Sequence, residues 1–164
     1  MTLAVDSVEK PERLEFLVRV VKKEIHNLRF SANRVFQQPF TIEHAQQLNH
    51  NEELAEQVEA FTSRFCRLQD TIGDKLLPAW LEALGEKTNI AIENLDKAEK
   101  IGVLPSVDTW LKLRQLRNQM IHEYIEDLTI LVDALQASYQ HHDFIISVAE
   151  AIIADIDNRG HWKL

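Results

Sequence analysis

The sequence predicts an all-α protein, an up-and-down helical bundle of four to five main helices, from three observations. Its 164 residues include only four Gly and four Pro, so few turns are available and long helices are favoured over short strands. Apolar residues recur at helical spacing, and no stretch sustains the two-residue alternation of a strand. The 45% hydrophobic content is enough for a core. We therefore expect one bundle domain over residues 1–164.

The first part of the chain predicts one long helix followed by a short one. The long helix should begin between Asp6 and Pro11, because Asp caps helices and Pro suits a first turn. It should end near Phe36, since Pro39 disfavours helical backbone in the residue before it. Thr41 is a suitable cap for a short helix that reaches about residue 48.

A second long helix is predicted to begin at Asn49 or Asn51 and to end at Gly85, a typical helix stop. Pro78 lies inside this helix and should kink it. Large apolar residues at helical spacing predict which side of the helix is buried. These residues are Phe61, Phe65, Leu68, Ile72, Leu76 and Trp80.

The second half of the chain predicts three more helices with short connections. The first spans Asn89 to Ile101 and stops before a glycine. The next spans Val107 to about His122, with Ser106 as its N-cap. The last runs from about Glu126 to Asn158. Two helices of about thirty residues often carry more apolar surface than one chain covers, so we also expect a homodimer.

Composition narrows the function classes. The net charge of −8 argues against broad, non-specific nucleic-acid binding, which needs a basic surface. No apolar run approaches the roughly 18 residues that span a membrane, and no signal segment is evident at the N-terminus. The single cysteine, Cys66, excludes an intrachain disulfide and favours a reducing, cytoplasmic location. It lies in an apolar stretch, where a buried thiol is expected.

The segment with the most chemistry is the end of the helix that reaches His122. Residues 111–122 read LKLRQLRNQMIH, which contains three cations and no carboxylate, so this strip can concentrate a phosphate in an acidic molecule. Arg114, Asn118 and His122 follow one another at i, i+4 and i+8 and share a face, with Arg117 on its flank. A chance fluctuation of composition and an ordinary solvated helix face are the alternatives.

The sequence suggests no metal site and no cofactor. His141 and His142 are adjacent and cannot share a helix face. The remaining candidates, His26, His44 and His50, have no carboxylate or thiol at ligand spacing. Surface histidines are the better interpretation of all five.

The spacing of Arg117, four residues, His122 and then Tyr124 resembles the R-x4-H-x-Y motif of HepT-like proteins in the HEPN superfamily. The upstream run RLQDTIGDK of residues 67–75, followed by Leu-Leu-Pro, is similar to the same family. The Leu-Pro-Ser loop of residues 104–106 adds to the likeness, which covers roughly residues 61–124.

The resemblance implies a helical bundle that dimerises and a metal-independent endoribonuclease toxin, often paired with a nucleotidyltransferase antitoxin. It implies that Arg117 and His122 are the catalytic pair, with Asn118 as a polar positioner beside them. Tyr124 becomes the candidate for adenylylation by the partner. Other family members are described as non-catalytic companions that bind nucleotide or substrate for such a transferase, and this alternative stays open.

Two further residues are candidates for substrate binding. Arg114 shares the face of Asn118 on the same helix and adds a second guanidinium for phosphate. Asp70 lies in the upstream run and could orient Arg117 or His122. A solvated surface charge is an equally good interpretation of Asp70.

Overall fold

The computed structural model describes residues 2–88, 90–122 and 127–160, with the backbone alone for residues 2–11 and 122. Helices joined by turns make up this described part, and no strand occurs in it. The predicted all-α class is therefore confirmed. The helices are α1 (Thr2–Val35), α2 (Ile42–Gln46), α3 (Glu52–Thr71), α4 (Leu77–Ala83), α5 (Ala91–Ile101), α6 (Val107–His122) and α7 (Leu128–Arg159).

Helix α1 begins earlier than predicted. Its backbone is helical from Thr2, so the predicted start between Asp6 and Pro11 is wrong, and Pro11 lies inside the helix. An interior proline removes one intrahelical hydrogen bond, while the turns on either side still close. The other end agrees with the prediction, since α1 ends at Val35 and Pro39 follows a short turn.

Side-chain caps set the beginnings of the next helices. The Thr41 hydroxyl accepts a hydrogen bond from the backbone N–H of His44, and the Thr41 N–H donates to Nδ1 of that histidine at 3.2 Å. This reciprocal pair confirms Thr41 as the cap of α2. Asn51 caps α3, because its Oδ1 accepts from the N–H of Leu54 at 3.0 Å. Asn49 instead ends a 3₁₀ turn.

The predicted irregularity near Pro78 is a π-helical turn. Residues Ile72–Leu76 form this turn between α3 and α4, and the N–H of Leu77 donates to the carbonyl of Ile72. Pro78 then occupies the first turn of α4, where a missing N–H costs little. All six residues of the predicted apolar stripe are buried. The run ends as predicted at Gly85, which has a φ of 83°.

Helix α5 begins at Ala91, and its predicted start, Asn89, lies outside the described residues. Helix α5 ends at Gly102, whose left-handed φ of 101° suits glycine. Helix α7 begins at Leu128, and the carboxylate of Asp127 caps it by accepting from the N–H of Thr129 at 2.9 Å and of Ile130 at 3.2 Å. The predicted starting residue Glu126 lies outside the described residues. None of the helices in the described ranges combines the length and apolar character that crossing a bilayer requires.

The chain divides into two compact units. Unit 1 comprises Met1–Lys23, Asp70–Val107 and Ile146–Leu164, and unit 2 comprises Glu24–Gln69 and Asp108–Ile145. Helices α1 and α7 therefore contribute residues to both units. A single domain over residues 1–164 stays a prediction.

The core of unit 1 contains a polar network around a tryptophan. The buried Trp80 donates its indole N–H to Oδ2 of Asp155 at 2.8 Å. Arg159 donates to the same oxygen at 2.8 Å. Partial burial alone would raise the pKa of the Asp155 carboxyl, but the hydrogen bonds from Arg159 and Trp80 outweigh it and lower that pKa.

The core of unit 2 contains an aromatic cluster. The ring of Phe36 packs edge-on against Phe61 at 5.1 Å and stacks on Tyr139 at 4.3 Å. The ring of His142 in turn stacks on Tyr139, with 5.1 Å between the two ring centroids. Such contacts add to the stability that burial of the rings provides. This cluster joins residues of α3 and α7 and the turn after α1.

Candidate functional site

Helix α6 carries the predicted site, and its bounds, Val107–His122, are those the sequence predicted. The side chains of Trp110, Leu113 and Met120 are buried. Helical spacing predicts that Leu113, Leu116 and Met120 pack into the core; Leu113 and Met120 do, whereas Leu116 is only half-buried. Because the buried residues recur at helical spacing, they define the inner side of α6 within unit 2.

Two contacts with neighbouring helices fix the rotation of α6. The buried side chain of Gln69 on α3 donates from Nε2 to the carbonyl of Trp110 at 3.1 Å. On the α7 side, the buried Ser138 hydroxyl lies 3.3 Å from Sδ of Met120 and 2.7 Å from the carbonyl of Ala134. Contacts on two sides leave α6 little freedom to turn about its axis.

The first consequence of this rotation is the placement of the predicted polar ridge. Arg114 and Asn118 are exposed, as the helical spacing predicted. Arg117 is half-buried, at the border between the inner and outer sides. Arg114 and Arg117 both interact with other groups of the protein.

The second consequence concerns the proposed catalytic pair. His122 is the last residue of α6, and its side chain lies outside the described residues. A helix turns about 100° per residue, so positions 117 and 122 are about 140° apart around the axis. The two positions of one chain do not share a face. Tyr124, the candidate for modification, lies outside the described residues.

Asp70 is the remaining predicted site residue. It is half-buried near the end of α3 and interacts with another group of the protein. It belongs to unit 1, whereas Arg114, Arg117 and Asn118 belong to unit 2. Its predicted role in orienting Arg117 or His122 stays a prediction.

The outer side of α6 is basic and polar. Lys112 and Arg114 are exposed along it, and no carboxylate occurs from residue 109 to residue 122. Guanidinium and amide groups can bind the oxygens of a phosphate. Ile121 is 48% exposed beside this surface, and Ile130 on α7 is also exposed. This part of unit 2 thus presents anion-binding groups together with uncovered apolar side chains.

Sequence reasoning missed the residues that position α6. Gln69 follows Phe65 by one helical turn, and Ser138 lies between the inward residues Leu135 and Tyr139 of α7. A polar residue at an inward position is a usable signal, because a buried polar group needs a hydrogen-bond partner. The sequence showed where such a partner was needed, but not which helix would supply it.

The histidines and the cysteine outside α6 that were considered for metal binding or reactivity show no such site. Within the described residues, no group of three His, Cys, Asp or Glu side chains could hold a metal ion. His44 belongs to the cap of α2, and His142 stacks on Tyr139. Cys66 is buried, as predicted. These residues therefore add no second chemical site to the one on α6.

Comparisons of the chain with protein-family models, with curated proteins and with solved structures gave no match. The residues of α6, and the HepT-like motif that they resemble, are therefore the basis for a functional proposal.

Proposed function

We propose that the protein is a metal-independent endoribonuclease of the HepT-like kind, with Arg117 and His122 as its catalytic pair. The observation that supports this most is the rotation of α6. It places Arg117 at the edge of an exposed basic surface without carboxylates, five residues before a histidine that ends the helix.

The proposed reaction is an internal transfer within RNA. The 2′-hydroxyl attacks the adjacent phosphorus while His122 removes its proton. The bond from phosphorus to the 5′-oxygen breaks, and that oxygen receives a proton from a protonated histidine. The products are a 2′,3′-cyclic phosphate and a 5′-hydroxyl. Arg117 binds the non-bridging oxygens and stabilises their growing charge.

We propose that two copies of the chain complete the site. Positions 117 and 122 are about 140° apart around α6, so the arginine of one chain is more readily matched by the histidine of a second. The exposed side chains of Ile121 and Ile130 supply apolar surface for such a homodimer. Two histidines in one cleft could then serve as base and acid.

The neighbouring residues take supporting roles in this proposal. Arg114 and Asn118 are exposed on α6 and bind the RNA backbone on either side of the cleaved phosphate. Adenylylation of Tyr124 by a nucleotidyltransferase antitoxin would transfer AMP from ATP to the phenol oxygen, with pyrophosphate leaving, at a position close in sequence to the catalytic pair. Added negative charge there would compete with RNA for the arginines and switch the enzyme off.

The test is cleavage of end-labelled RNA in EDTA by wild type, His122→Ala and His50→Ala. His50 is an exposed histidine in unit 2 and serves as the matched control. We expect wild type and the control to produce cyclic-phosphate ends and His122→Ala to be inactive. Equal cutting by all three proteins would refute the catalytic assignment.

A different result would favour the non-catalytic alternative. If an unmodified wild-type protein, checked by intact mass, cuts no RNA but is purified with bound nucleotide, the protein is a binding companion of a nucleotidyltransferase. Growth arrest on expression, relieved by a nucleotidyltransferase encoded beside the gene, would support the toxin.

A further inference from the structure

A second basic surface lies on α1 within unit 1. Phe16, Arg19, Lys22 and Lys23 are all exposed there, and we call these four residues the basic strip. From Phe16 to Lys23 the chain contains no carboxylate. Three cations in eight residues contrast with the net charge of −8 of the whole chain.

The helix itself explains why these side chains share one side. Leu14, Leu17, Val18 and Val21 are buried and turn the opposite side of α1 into the core. Residues three or four apart are neighbours on a helix surface, so Arg19, Lys22 and Lys23 lie close together on one side of α1, with Glu15 one turn before Arg19. Within the described residues, none of these three cations forms an ion pair.

Phe16 gives the basic strip a further property. Its side chain is 53% exposed, which is unusual for a large apolar residue on the outer side of a helix. The guanidinium of Arg19 lies 5.9 Å from the centre of its ring. An exposed ring beside cations resembles the surfaces on which proteins stack the bases of single strands.

Unit 2 contains a closely similar pair that differs in its surroundings. Phe30 is also 53% exposed, and the guanidinium of Arg34 lies 5.9 Å from its ring centre. However, Arg34 is 3.7 Å from the carboxylate of Glu53. A pocket of about 220 Å³ beside this pair is also lined by Glu56. Carboxylates therefore offset the charge of the second pair.

We propose that the basic strip of α1 binds single-stranded RNA. Arg19, Lys22 and Lys23 contact successive phosphates, and the ring of Phe16 stacks on a base. A duplex hides its bases from such stacking, so a single strand fits better. Insertion into a membrane fits less well, because the apolar side of α1 is already buried in the core. This proposed binding surface is separate from the proposed cleavage site, because it includes neither Arg117 nor His122.

The experiment measures binding without cleavage. A full-length His122→Ala protein is titrated against a fluorescent uridine-rich RNA oligonucleotide, and anisotropy is followed at several salt concentrations. Adding Lys22→Ala and Lys23→Ala should lower the slope of log K against log salt by about 1.4, at about 0.7 for each lost contact. Adding Phe16→Ala should weaken binding by about fivefold or more.

Matched controls make the result specific to the strip. Lys87→Ala with Lys100→Ala removes the same charge from exposed positions of unit 1 and should leave the slope unchanged. Phe30→Ala removes an equally exposed ring in unit 2 and should leave affinity unchanged. Circular dichroism of each variant checks that its helices are intact.

Three results would overturn the proposal: no RNA binding by the starting protein, equal losses in the strip and control variants, or no loss in the strip variants. A loss of binding to phosphatidylserine vesicles with RNA binding unchanged would assign the strip to a membrane surface. Because His122 is absent throughout, a failure of the cleavage proposal leaves the outcome readable.

Discussion

The two compact units stabilise their cores with different kinds of polar contact. In unit 1, Trp80 and Arg159 both donate to the carboxylate of Asp155. In unit 2, the neutral side chains of Gln69 and Ser138 contact α6 and its neighbours, next to an aromatic cluster. The polar network of unit 1 thus depends on a titratable carboxylate, that of Asp155. Helix α6 in unit 2 is instead held by Gln69 and Ser138, whose side chains do not titrate.

The titratable group that contributes to stability therefore lies in unit 1, whereas the residues of the proposed chemistry lie in unit 2. The carboxylate in unit 1 makes the stability of that unit sensitive to acid. The contacts that Gln69 and Ser138 make with α6 involve no titratable group, so they have no pH dependence of their own. Substitutions of single residues in each unit test this separation.

Truncating the arginine at the border of α6 should affect activity far more than stability. Arg117→Ala removes the group proposed to stabilise charge on the phosphate, so RNA cleavage should fall by about 100-fold or more. Initial rates with end-labelled RNA measure this. Arg67→Ala, an exposed arginine on α3 of the same unit, should retain full activity. Equal losses in both variants would indicate a general charge effect instead of a role for Arg117.

Removing a fully buried ring of the aromatic cluster should have the largest effect on stability. Phe61 is fully buried and contacts Phe36, so Phe61→Ala should lower the free energy of unfolding by about 3–5 kcal/mol. Urea denaturation followed by circular dichroism measures this change. The exposed Phe30→Ala should change it by about 0.5 kcal/mol or less. A similar loss in both would mean that the cluster adds no specific stability.

Removing the acceptor in unit 1 should have a smaller effect that depends on pH. Asp155→Ala leaves the buried indole N–H of Trp80 without its acceptor, which costs about 1–3 kcal/mol at neutral pH. Asp96→Ala, at an exposed position on α5 of the same unit, should cost much less.

The pH dependence follows from the direction of the Asp155 shift. Because folding lowers the pKa of this carboxyl, its contribution is present above the unfolded pKa of about 3.9 and is lost as pH falls through the folded pKa. The difference in unfolding free energy between wild type and Asp155→Ala should therefore shrink below about pH 4. A difference that stays constant from pH 7 to pH 3 would contradict a lowered pKa.

The smallest effect is expected at a helix start. The carboxylate of Asp127 accepts two hydrogen bonds from the first turn of α7, so Asp127→Ala should cost about 1 kcal/mol. Thermal unfolding measures the change, and Asp127→Asn should restore most of it, because an amide oxygen also caps. No rescue by asparagine would assign the effect to charge at the helix terminus.

Much of the fold could be predicted because it depends on local sequence. The caps at Thr41 and Asn51 involve residues three apart, and Gly85 and Gly102 end helices through their own backbone conformation. The start of α1 was predicted wrongly for the same kind of reason. The preference of proline for the first turn of a helix is only statistical. In this protein the helix continues through Pro11.

The helical class, the bounds of α6 and the shared side of Arg114 and Asn118 could be predicted from the sequence, because helix caps and helical spacing are local features. Which groups meet depends instead on how the helices pack against one another. Gln69 contacts Trp110 across 41 residues, and Trp80 contacts Asp155 across 75. Such pairs depend on which helices pack side by side, and this is set by the shapes of whole buried surfaces and not by the spacing of residues along one helix.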